Sequence, residues 1–348
     1  MAYTTIDAPT DYFNTVLWSG NGTDDRSITG VGFQPDWVWY KERSAGGDNT
    51  VFDSIRGAGV RLFPGGTDAD NLDANSLQAF ETDGFQIGTN ADVNDSGQTY
   101  VAWNWLAGGT ASSNTDGDIT SSVSANTTAG FSIVSYTGNG TNGATVGHGL
   151  GVTPDMIITK NRTDSGPGWP VYHSSTGSSG CTFLNSTDAF GDYSGGGYLR
   201  NPNSSTFETY FTSSGTSVNG SSKNHIAYCF AEKKGYSKFG SYTGNGNSDG
   251  TFVYTGFKPA FLLWKKSSAS GTNWVIFDNK RDLHNKVDNY LIPNLSLAEG
   301  NSDDCDFLSN GFKWRSTGSG SNGSSASFIF MAFAENPFVT STGIPTTA

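Results

Sequence analysis

Short apolar stretches recur along the whole chain, and polar, turn-forming residues separate them. The stretches are about four to eight residues long and rich in Val, Ile, Phe, Tyr and Trp, while Gly, Asn and Asp lie between them. No stretch sustains the 3.6-residue period of an amphipathic helix. The pattern therefore predicts an all-β fold built from short strands.

Two dipeptides predict tight hairpins between such strands. Asp83-Gly84 and Asn310-Gly311 each lie between aromatic residues. Both residue types tolerate the positive φ angles of a two-residue hairpin turn. We therefore expect antiparallel pairing at both places.

The same motifs recur three times in the same order. The string YTGNG occurs at 136–140 and 242–246, with WSGNG at 18–22. A proline then precedes an apolar run in GFQPDWVWYK, GVTPDMIITK and GFKPAFLLWK, and each copy closes on YVAWNW, HIAYCFAE or FIFMAFAE. The repetition predicts three tandem antiparallel β-sandwich units, of jelly-roll or lectin-like type, arising from internal triplication. We interpret the Gly-Asn-Gly string as a tight turn, with a ligand-binding loop as the alternative.

The copies set the expected domain boundaries. The predicted organisation is an N-terminal attachment arm at 1–11, unit 1 at 12–109, a Ser/Thr-rich linker at 110–129, unit 2 at 130–235, unit 3 at 236–337 and a C-terminal tail at 338–348. The linker leaves open whether the units form one rigid rod or separate beads.

The strand after each proline predicts which side chains form the core, because residues i and i+2 share a face. One face is apolar in all three copies: Trp37 and Trp39, Met156 and Ile158, Phe261 and Leu263. We predict that this face is buried. The other face carries Val38 and Tyr40, Ile157 and Thr159, Leu262 and Trp264, and its varied polarity predicts contact with solvent or a partner.

Charge and cysteine content exclude several classes of protein. The formal net charge of −12 disfavours binding to a phosphate backbone, so no nucleic-acid partner is expected. The three cysteines, Cys181, Cys229 and Cys305, have neither disulfide-framework nor zinc-site spacing. No secretory signal and no apolar run of about 18 residues is present, so no membrane insertion is expected.

Catalytic and metal-binding motifs are scarce, and we expect no enzyme activity and no cofactor. A glycosidase would need two carboxylates in one cleft, and Asp53 and Asp278 each occur in the pattern F-D-x-x-R. They occupy matching positions in different copies, where the middle copy has His173, so an Asp–Arg pair that orients a loop is favoured. Asp68, Asp70 and Asp73 are weak calcium candidates because their segment lacks the EF-loop Gly and Glu.

Aromatic side chains are the stronger binding candidates. Trp169 lies in the loop-like string GPGWP, Trp264 and Tyr40 lie on the varied strand face, and Trp314 lies between Lys313 and Arg315. Exposed Trp and Tyr rings are platforms for sugar rings and for protein partners. The alternative is that they fill cores or contacts between units.

The quoted motifs together resemble a known family. The opening AYTTIDAPTDYFNTVLWSGNG, with VFDSIRG, FETDGFQIG and TYVAWNW, is similar to a repeated domain of tailed-bacteriophage virion proteins, common in marine and cyanobacterial phages and usually labelled tail-fibre or lectin-like. The similarity is strongest over residues 1–109 and looser over 131–232 and 236–337. It implies concanavalin A-like or jelly-roll sandwiches and implies no catalytic residue.

This resemblance implies a function and a location. We expect a non-enzymatic virion structural protein, assembled in the host cytoplasm, that acts as a tail fibre or tail-associated adhesin binding host-surface polysaccharide. Its expected partners are other phage virion proteins and further copies of itself, with a trimer favoured. The alternatives are an architectural capsid decoration or tail adaptor, and a glycan depolymerase.

Overall fold

The computed structural model describes residues 4–191, 197–212 and 215–337, and the fold is all-β. The predicted C-terminal tail at 338–348 lies outside the described residues. The strand pairs are antiparallel throughout the named ladders, and both expected hairpins are present. Their two-residue turns are Thr82-Asp83 and Ser309-Asn310, one position earlier than predicted, because Gly84 and Gly311 already pair as strand residues. The predicted fold class is therefore confirmed at this level.

The first third of the chain contains nine strands and two short helical turns. A 3₁₀ turn (Pro9–Asp11) precedes β1, and the turn α1 (Ala91–Asn94) precedes β9. The strands are β1 (Phe13–Ser19), β2 (Arg26–Thr29), β3 (Trp37–Glu42), β4 (Thr50–Asp53), β5 (Val60–Arg61), β6 (Asn71–Leu72), β7 (Leu77–Glu81), β8 (Gly84–Ile87) and β9 (Thr99–Trp105).

The remaining strands follow in two further groups. The middle group is β10 (Ser112–Asn114), β11 (Ser121–Asn126), β12 (Phe131–Thr137), β13 (Ala144–Gly147), β14 (Met156–Asn161), β15 (Pro170–His173), β16 (Thr182–Phe183), β17 (Gly197–Arg200), β18 (Thr206–Phe211) and β19 (Asn224–Phe230). The last group is β20 (Ser237–Thr243), β21 (Phe252–Tyr254), β22 (Phe257–Lys266), β23 (Val275–Asp278), β24 (Val287–Tyr290), β25 (Gly300–Leu308), β26 (Gly311–Trp314) and β27 (Ser327–Pro337).

Three sheets, which we call the inner sheets, have the same strand arrangement. Their orders are β1-β9-β3-β4, β12-β19-β14-β15 within a seven-stranded sheet, and β20-β27-β22-β23. In each, the closing strand lies between the first strand and the strand that follows the proline. Three outer sheets have the orders β2-β8-β7, β13-β18-β17 and β21-β26-β25-β24.

Each inner sheet has two buried faces. One face packs on its own outer sheet through a separate apolar layer, for example the contact of Trp264 with Trp314 at a ring-centroid separation of 4.9 Å. The other face joins one central core to which all three inner sheets contribute. Because both faces of each inner sheet are covered, its strands expose no face to solvent.

The predicted core face is confirmed, and the prediction for the opposite face is wrong. All six residues predicted as core lie in the central core: Trp37, Trp39, Met156, Ile158, Phe261 and Leu263. The opposite face is also buried, because the outer sheets cover it: Val38, Tyr40, Ile157, Thr159, Leu262 and Trp264. Varied polarity on that face therefore reflects different interior neighbours and not solvent.

Two predicted boundaries also need correction. Residues 110–129 are not a linker, since β10 and β11 extend the second inner sheet and Val123 is buried in its apolar layer. The described part of the predicted N-terminal arm is not free of core residues either, because Ile6 lies in the central core. The three inner sheets are thus held against one another by a continuous interior.

Loops from each third of the chain dock on the next third, and the last docks on the first. Asp70 N donates to Arg162 O at 3.0 Å, Phe190 N donates to Ser267 O at 3.0 Å, and Glu299 N donates to Arg43 O at 2.8 Å. Arg162, Ser267 and Arg43 each lie two residues beyond a buried lysine on the strand after the proline. These contacts close a ring around the central core.

Those buried lysines line the ring. Lys41, Lys160 and Lys265 have no exposed surface. The Nζ of Lys160 donates to Thr67 O at 3.1 Å and Pro167 O at 2.8 Å, and the Nζ of Lys265 donates to Thr187 O at 3.1 Å and Thr272 O at 2.6 Å. Each of these two ammonium groups therefore joins a local loop to a loop from the preceding third of the chain. Burial lowers the pKa of all three lysines to about 8.

Candidate functional site

The Gly-Asn-Gly strings are structural turns held by a buried asparagine. The backbone N–H groups of Asn21, Asn139 and Asn245 each donate to the side-chain oxygen of a second asparagine, at 2.8–3.1 Å. The accepting residues, Asn94, Asn219 and Asn322, are fully buried. A Cβ at the first glycine would collide with backbone, for example 2.2 Å from Gly220 O at Gly138. These contacts support the interpretation of the string as a turn.

The F-D-x-x-R motifs orient loops and connect neighbouring inner sheets. The Asp53 carboxylate accepts from the backbone of Ile55 and Arg56 and from Arg56 Nε, and Tyr228 Oη donates to it at 2.8 Å from the second inner sheet. Its ion pair with Arg56 has no side-chain exposure on either partner.

The other two copies of this position make the same kind of connection between sheets. Trp103 Nε1 donates to Asp278 Oδ2 at 3.0 Å, and His173 Nε2 lies 3.1 Å from Phe330 O. Asp278 is paired with Arg281, as Asp53 is with Arg56. The two carboxylates therefore lie in separate buried ion pairs and not in one cleft. This agrees with the Asp–Arg pairing that the sequence favoured.

The four predicted binding aromatics are all buried, so the expectation that they are exposed is wrong. Trp169 lies in the central core, and its Nε1 donates to Phe63 O at 3.0 Å in the loop that docks from the first third. Tyr40 lies between the first inner and outer sheets and stacks on Phe52 at 5.7 Å. Trp264 and Trp314 pack on each other between the third inner and outer sheets. Each ring fills an interior layer that the linear pattern does not reveal.

The weak calcium candidates do not form a ligand cluster. Asp70 pairs with Arg162 at 2.7 Å and Asp73 pairs with Arg61 at 2.9 Å. Across the described ranges, no group of three His, Cys, Asp or Glu side chains could hold a metal ion. Asp70 and Asp73 instead anchor the docked loop and its neighbours.

Two exposed aromatic residues lie elsewhere, on strand β21 at the edge of the third outer sheet. Phe252 is 43% exposed and Tyr254 is 54% exposed. Between them Val253 points into the apolar layer opposite Phe312. Phe252 and Tyr254 therefore project from the outer face of the sheet, because alternate strand residues point to opposite faces.

Charged groups continue this face across the sheet. Phe252 is opposite Lys313, and Lys313 is opposite Asp306 on the next strand. Lys313 binds Asp249 at 2.6 Å and Arg315 binds Asp306 at 2.6 Å. The result is two adjacent aromatic side chains beside two cations and two carboxylates at the surface. We call Phe252, Tyr254, Asp249, Lys313, Asp306 and Arg315 the β21 face.

The other outer sheets have different residues at the same positions. Ile28 and Val146 are opposite Phe85 and Phe207, as Val253 is opposite Phe312. The residues flanking them are Ser27 and Thr29 in β2, and Thr145 and Gly147 in β13. The sheet can therefore be built without aromatics at these two positions. Comparing the three motif copies at this strand was the available signal, and sequence reasoning missed it.

This arrangement defines an all-β protein of layered antiparallel sheets with an aromatic and charged surface on one of them. The family model described as "Domain of unknown function (DUF7483)" matches residues 8–337, so the chain belongs to that family. Searches of curated proteins and of solved structures found no match. Within the described residues, no helix has the length and apolar character needed to cross a membrane.

Proposed function

We propose that this protein is a non-enzymatic structural component of a tailed-bacteriophage virion, a tail fibre or tail-associated adhesin that binds host-surface glycan through the β21 face. The observation that carries the proposal is the pair Phe252 and Tyr254, exposed on a strand whose counterpart β2 has Ser27 and Thr29. The motif resemblance to phage virion proteins supports the wider assignment.

The chemistry of the β21 face fits a saccharide. Aromatic rings present an apolar surface to the C–H face of a pyranose, and charged groups beside them hydrogen-bond its hydroxyls. Lys313 and Arg315 each have a carboxylate partner, so the face is close to neutral and offers both donors and acceptors. A glycan with exposed ring faces suits this surface better than a strongly charged polymer.

The finer description of the fold belongs to the same proposal. We infer three β-sandwich units that arose by internal triplication and now share one core. The common strand order of the inner sheets, the three buried asparagines and the three buried lysines support this inference. Assembly as a homotrimer with other virion proteins stays a prediction, which native mass spectrometry would test.

A binding experiment with a matched control tests the proposal. The purified chain and the variant Phe252→Ser/Tyr254→Thr are titrated onto intact host cells and onto their isolated surface polysaccharide. We expect saturable binding by the parent and at least about tenfold weaker binding by the variant, which corresponds to about 1.4 kcal/mol. The matched control is Ser27→Ala/Thr29→Ala at the equivalent positions, which should bind as the parent does.

Two outcomes would contradict the proposal. Equal binding by the parent and the Phe252→Ser/Tyr254→Thr variant would remove the β21 face as the site. Absence of saturable binding by folded parent protein would reject the adhesin and favour the architectural role. Release of soluble oligosaccharide from the polysaccharide would instead indicate a depolymerase.

A further inference from the structure

A cleft of about 590 Å³ lies where the first third of the chain meets residues 109–111. Phe80 from the first outer sheet, Gln34 and Asp36 from the turn before β3, and Ser54 after β4 line one side. Gly109 and Ser122 line the other side. Its volume falls within the range of about 300–1,000 Å³ that is usual for small-molecule sites.

The cleft has one buried carboxylate and a set of neutral polar groups. Asp36 is 1% exposed, and its Oδ2 accepts from Ala107 N at 2.8 Å and Gly109 N at 3.2 Å. These bonds fix the carboxylate against the connecting segment. Burial raises the pKa of Asp36, although the hydrogen bonds from the backbone N–H groups of Gly109 and Ala107 oppose that effect. The side chain is thus held in place by the fold and not by an ion pair.

The cleft also has an apolar part and lacks cations. Phe80, Ile55 and Ala111 are half-buried and supply carbon surface. No Lys, Arg or His is among the described residues that line it. An anionic ligand would meet a carboxylate without a compensating cation, which disfavours binding. A neutral ligand with several hydroxyls and one apolar face would satisfy both parts of the surface.

The last third of the chain has a second cleft at the matching place, and it differs from the cleft at Asp36 in volume and in charge. It is lined by Lys258, Asn279 and Phe307 among others, and its volume is about 190 Å³. Lys258 precedes Pro259 as Gln34 precedes Pro35, and Asn279 follows Asp278 as Ser54 follows Asp53. There Lys258 is paired with Glu335 at 2.8 Å. The larger, cation-free cleft is therefore a feature of the first third.

We propose that the cleft at Asp36 binds a neutral hexopyranose, as a saccharide subsite separate from the β21 face. Gln34 would donate and accept hydrogen bonds with ring hydroxyls, the Asp36 carboxylate would accept them, and Phe80 would contact the C–H face of the ring. The choice of a sugar as ligand rests on the proposed glycan-binding function, whereas the preference for a neutral ligand rests on the lining groups.

Ligand-observed saturation-transfer NMR tests this with named probes: D-glucose, D-galactose and D-mannose, with D-glucuronate as the anionic comparison. We expect transfer from the folded protein to at least one neutral hexose and weaker transfer to glucuronate. Gln34→Ala, which removes an exposed rim side chain, should reduce the signal several-fold. Ala111→Trp, which fills the cleft, should abolish it when combined with Phe252→Ser/Tyr254→Thr, which removes any signal from the β21 face, in a protein whose thermal melting is unchanged.

Two controls separate this proposal from the proposed function. Thr153→Ala, at the position before Pro154 that corresponds to Gln34, should leave the hexose signal unchanged. Phe252→Ser/Tyr254→Thr should also retain it while losing binding to cells. The cleft is rejected if no neutral hexose responds, if Ala111→Trp combined with Phe252→Ser/Tyr254→Thr keeps the response, or if glucuronate responds more strongly. A hexose signal lost only in Phe252→Ser/Tyr254→Thr would support the β21 face and reject the cleft.

Discussion

Strands β2 and β21 occupy matching places in two outer sheets, yet their exposed residues differ. In β2 these are Ser27 and Thr29, and in β21 they are Phe252 and Tyr254. Their inward residues, Ile28 and Val253, meet equivalent phenylalanines. The inward residues of the two strands are alike in chemistry, and the exposed residues differ.

The contrast extends to the whole molecule. At the central core and the docked loops, the three parts of the chain share the same structural features, such as the buried asparagines Asn94, Asn219 and Asn322 that hold the Gly-Asn-Gly turns. Interior positions are constrained by close packing and by the cost of leaving a buried polar group unpaired. Outer faces lack those constraints, so residues there can differ without loss of the fold.

Breaking a buried contact between sheets should have the largest effect. Asp53→Ala leaves the Arg56 guanidinium buried without its carboxylate and removes the partner of Tyr228 Oη. We expect a loss of about 3–5 kcal/mol in the free energy of unfolding, measured by urea denaturation.

The control for this experiment is an exposed ion pair. Glu232→Ala breaks the pair of Glu232 with Lys238, whose side chains are about a third exposed, and should cost below about 1 kcal/mol. If Asp53→Ala cost as little as the control, the ion pair would not be holding the sheets together.

Removing a turn-holding asparagine should have the next largest effect. The amide of Asn219 accepts from Asn139 N and donates to Thr141 O at 2.8 Å. Asn219→Ala leaves these buried backbone groups without a partner, so we expect a loss of about 1–3 kcal/mol in unfolding free energy. Asn322→Ala should give a similar loss, since Asn322 makes the equivalent bonds to Asn245 N and Asn247 O. Unequal losses would show that these two turns are not equivalent.

The buried lysines should make stability depend on alkaline pH. The pKa of Lys160 falls from 10.5 to about 8 on folding because burial disfavours the charged form. Between these values the unfolded chain binds more protons than the folded one, so this group makes stability rise with pH. The slope from one lysine is at most about 1.4 kcal/mol per pH unit.

A difference measurement isolates this contribution from those of other titrating groups. The free energy of unfolding is measured across this pH range for the parent and for Lys160→Met. We expect the parent's advantage over the variant to grow as pH rises. A constant difference would mean that Lys160 keeps its ordinary pKa in the folded protein.

The sequence allowed the strands, the hairpins and one core face to be predicted, because alternation and turn chemistry are local signals. The face with Trp37 and Trp39 was identified correctly, since it is apolar in every copy. The opposite face was predicted to contact solvent or a partner because Thr159 corresponds to Tyr40 and Trp264. In the linear pattern, a polar residue buried between an inner and an outer sheet resembles an exposed one.

The remaining features could not be predicted because they depend on contacts between distant parts of the chain. Residues 110–129 are rich in Ser and Thr, and they form strands because β11 pairs with β12 and β10 pairs with β11. Trp169 looks like a loop aromatic until Phe63 O, more than a hundred residues away, is seen to accept from its indole. The sequence pattern favoured Trp169, Trp264 and Trp314 over Phe252 and Tyr254, but the large tryptophan rings fill interior layers of the fold.

The smallest effect on stability is expected from exchanging the two surfaces. Ser27→Phe/Thr29→Tyr places the aromatic pair of β21 on β2, where both positions are exposed. Surface substitutions of this kind usually change unfolding free energy by less than about 0.5 kcal/mol, and both residue types are good strand formers.

We expect unchanged melting and, in a protein that also carries Phe252→Ser/Tyr254→Thr, at most weak binding to host polysaccharide. Asp249, Lys313, Asp306 and Arg315 remain on the third sheet, so aromatics alone lack their polar neighbours. Full recovery of binding would instead show that two exposed rings suffice and that the charged groups of the β21 face contribute little.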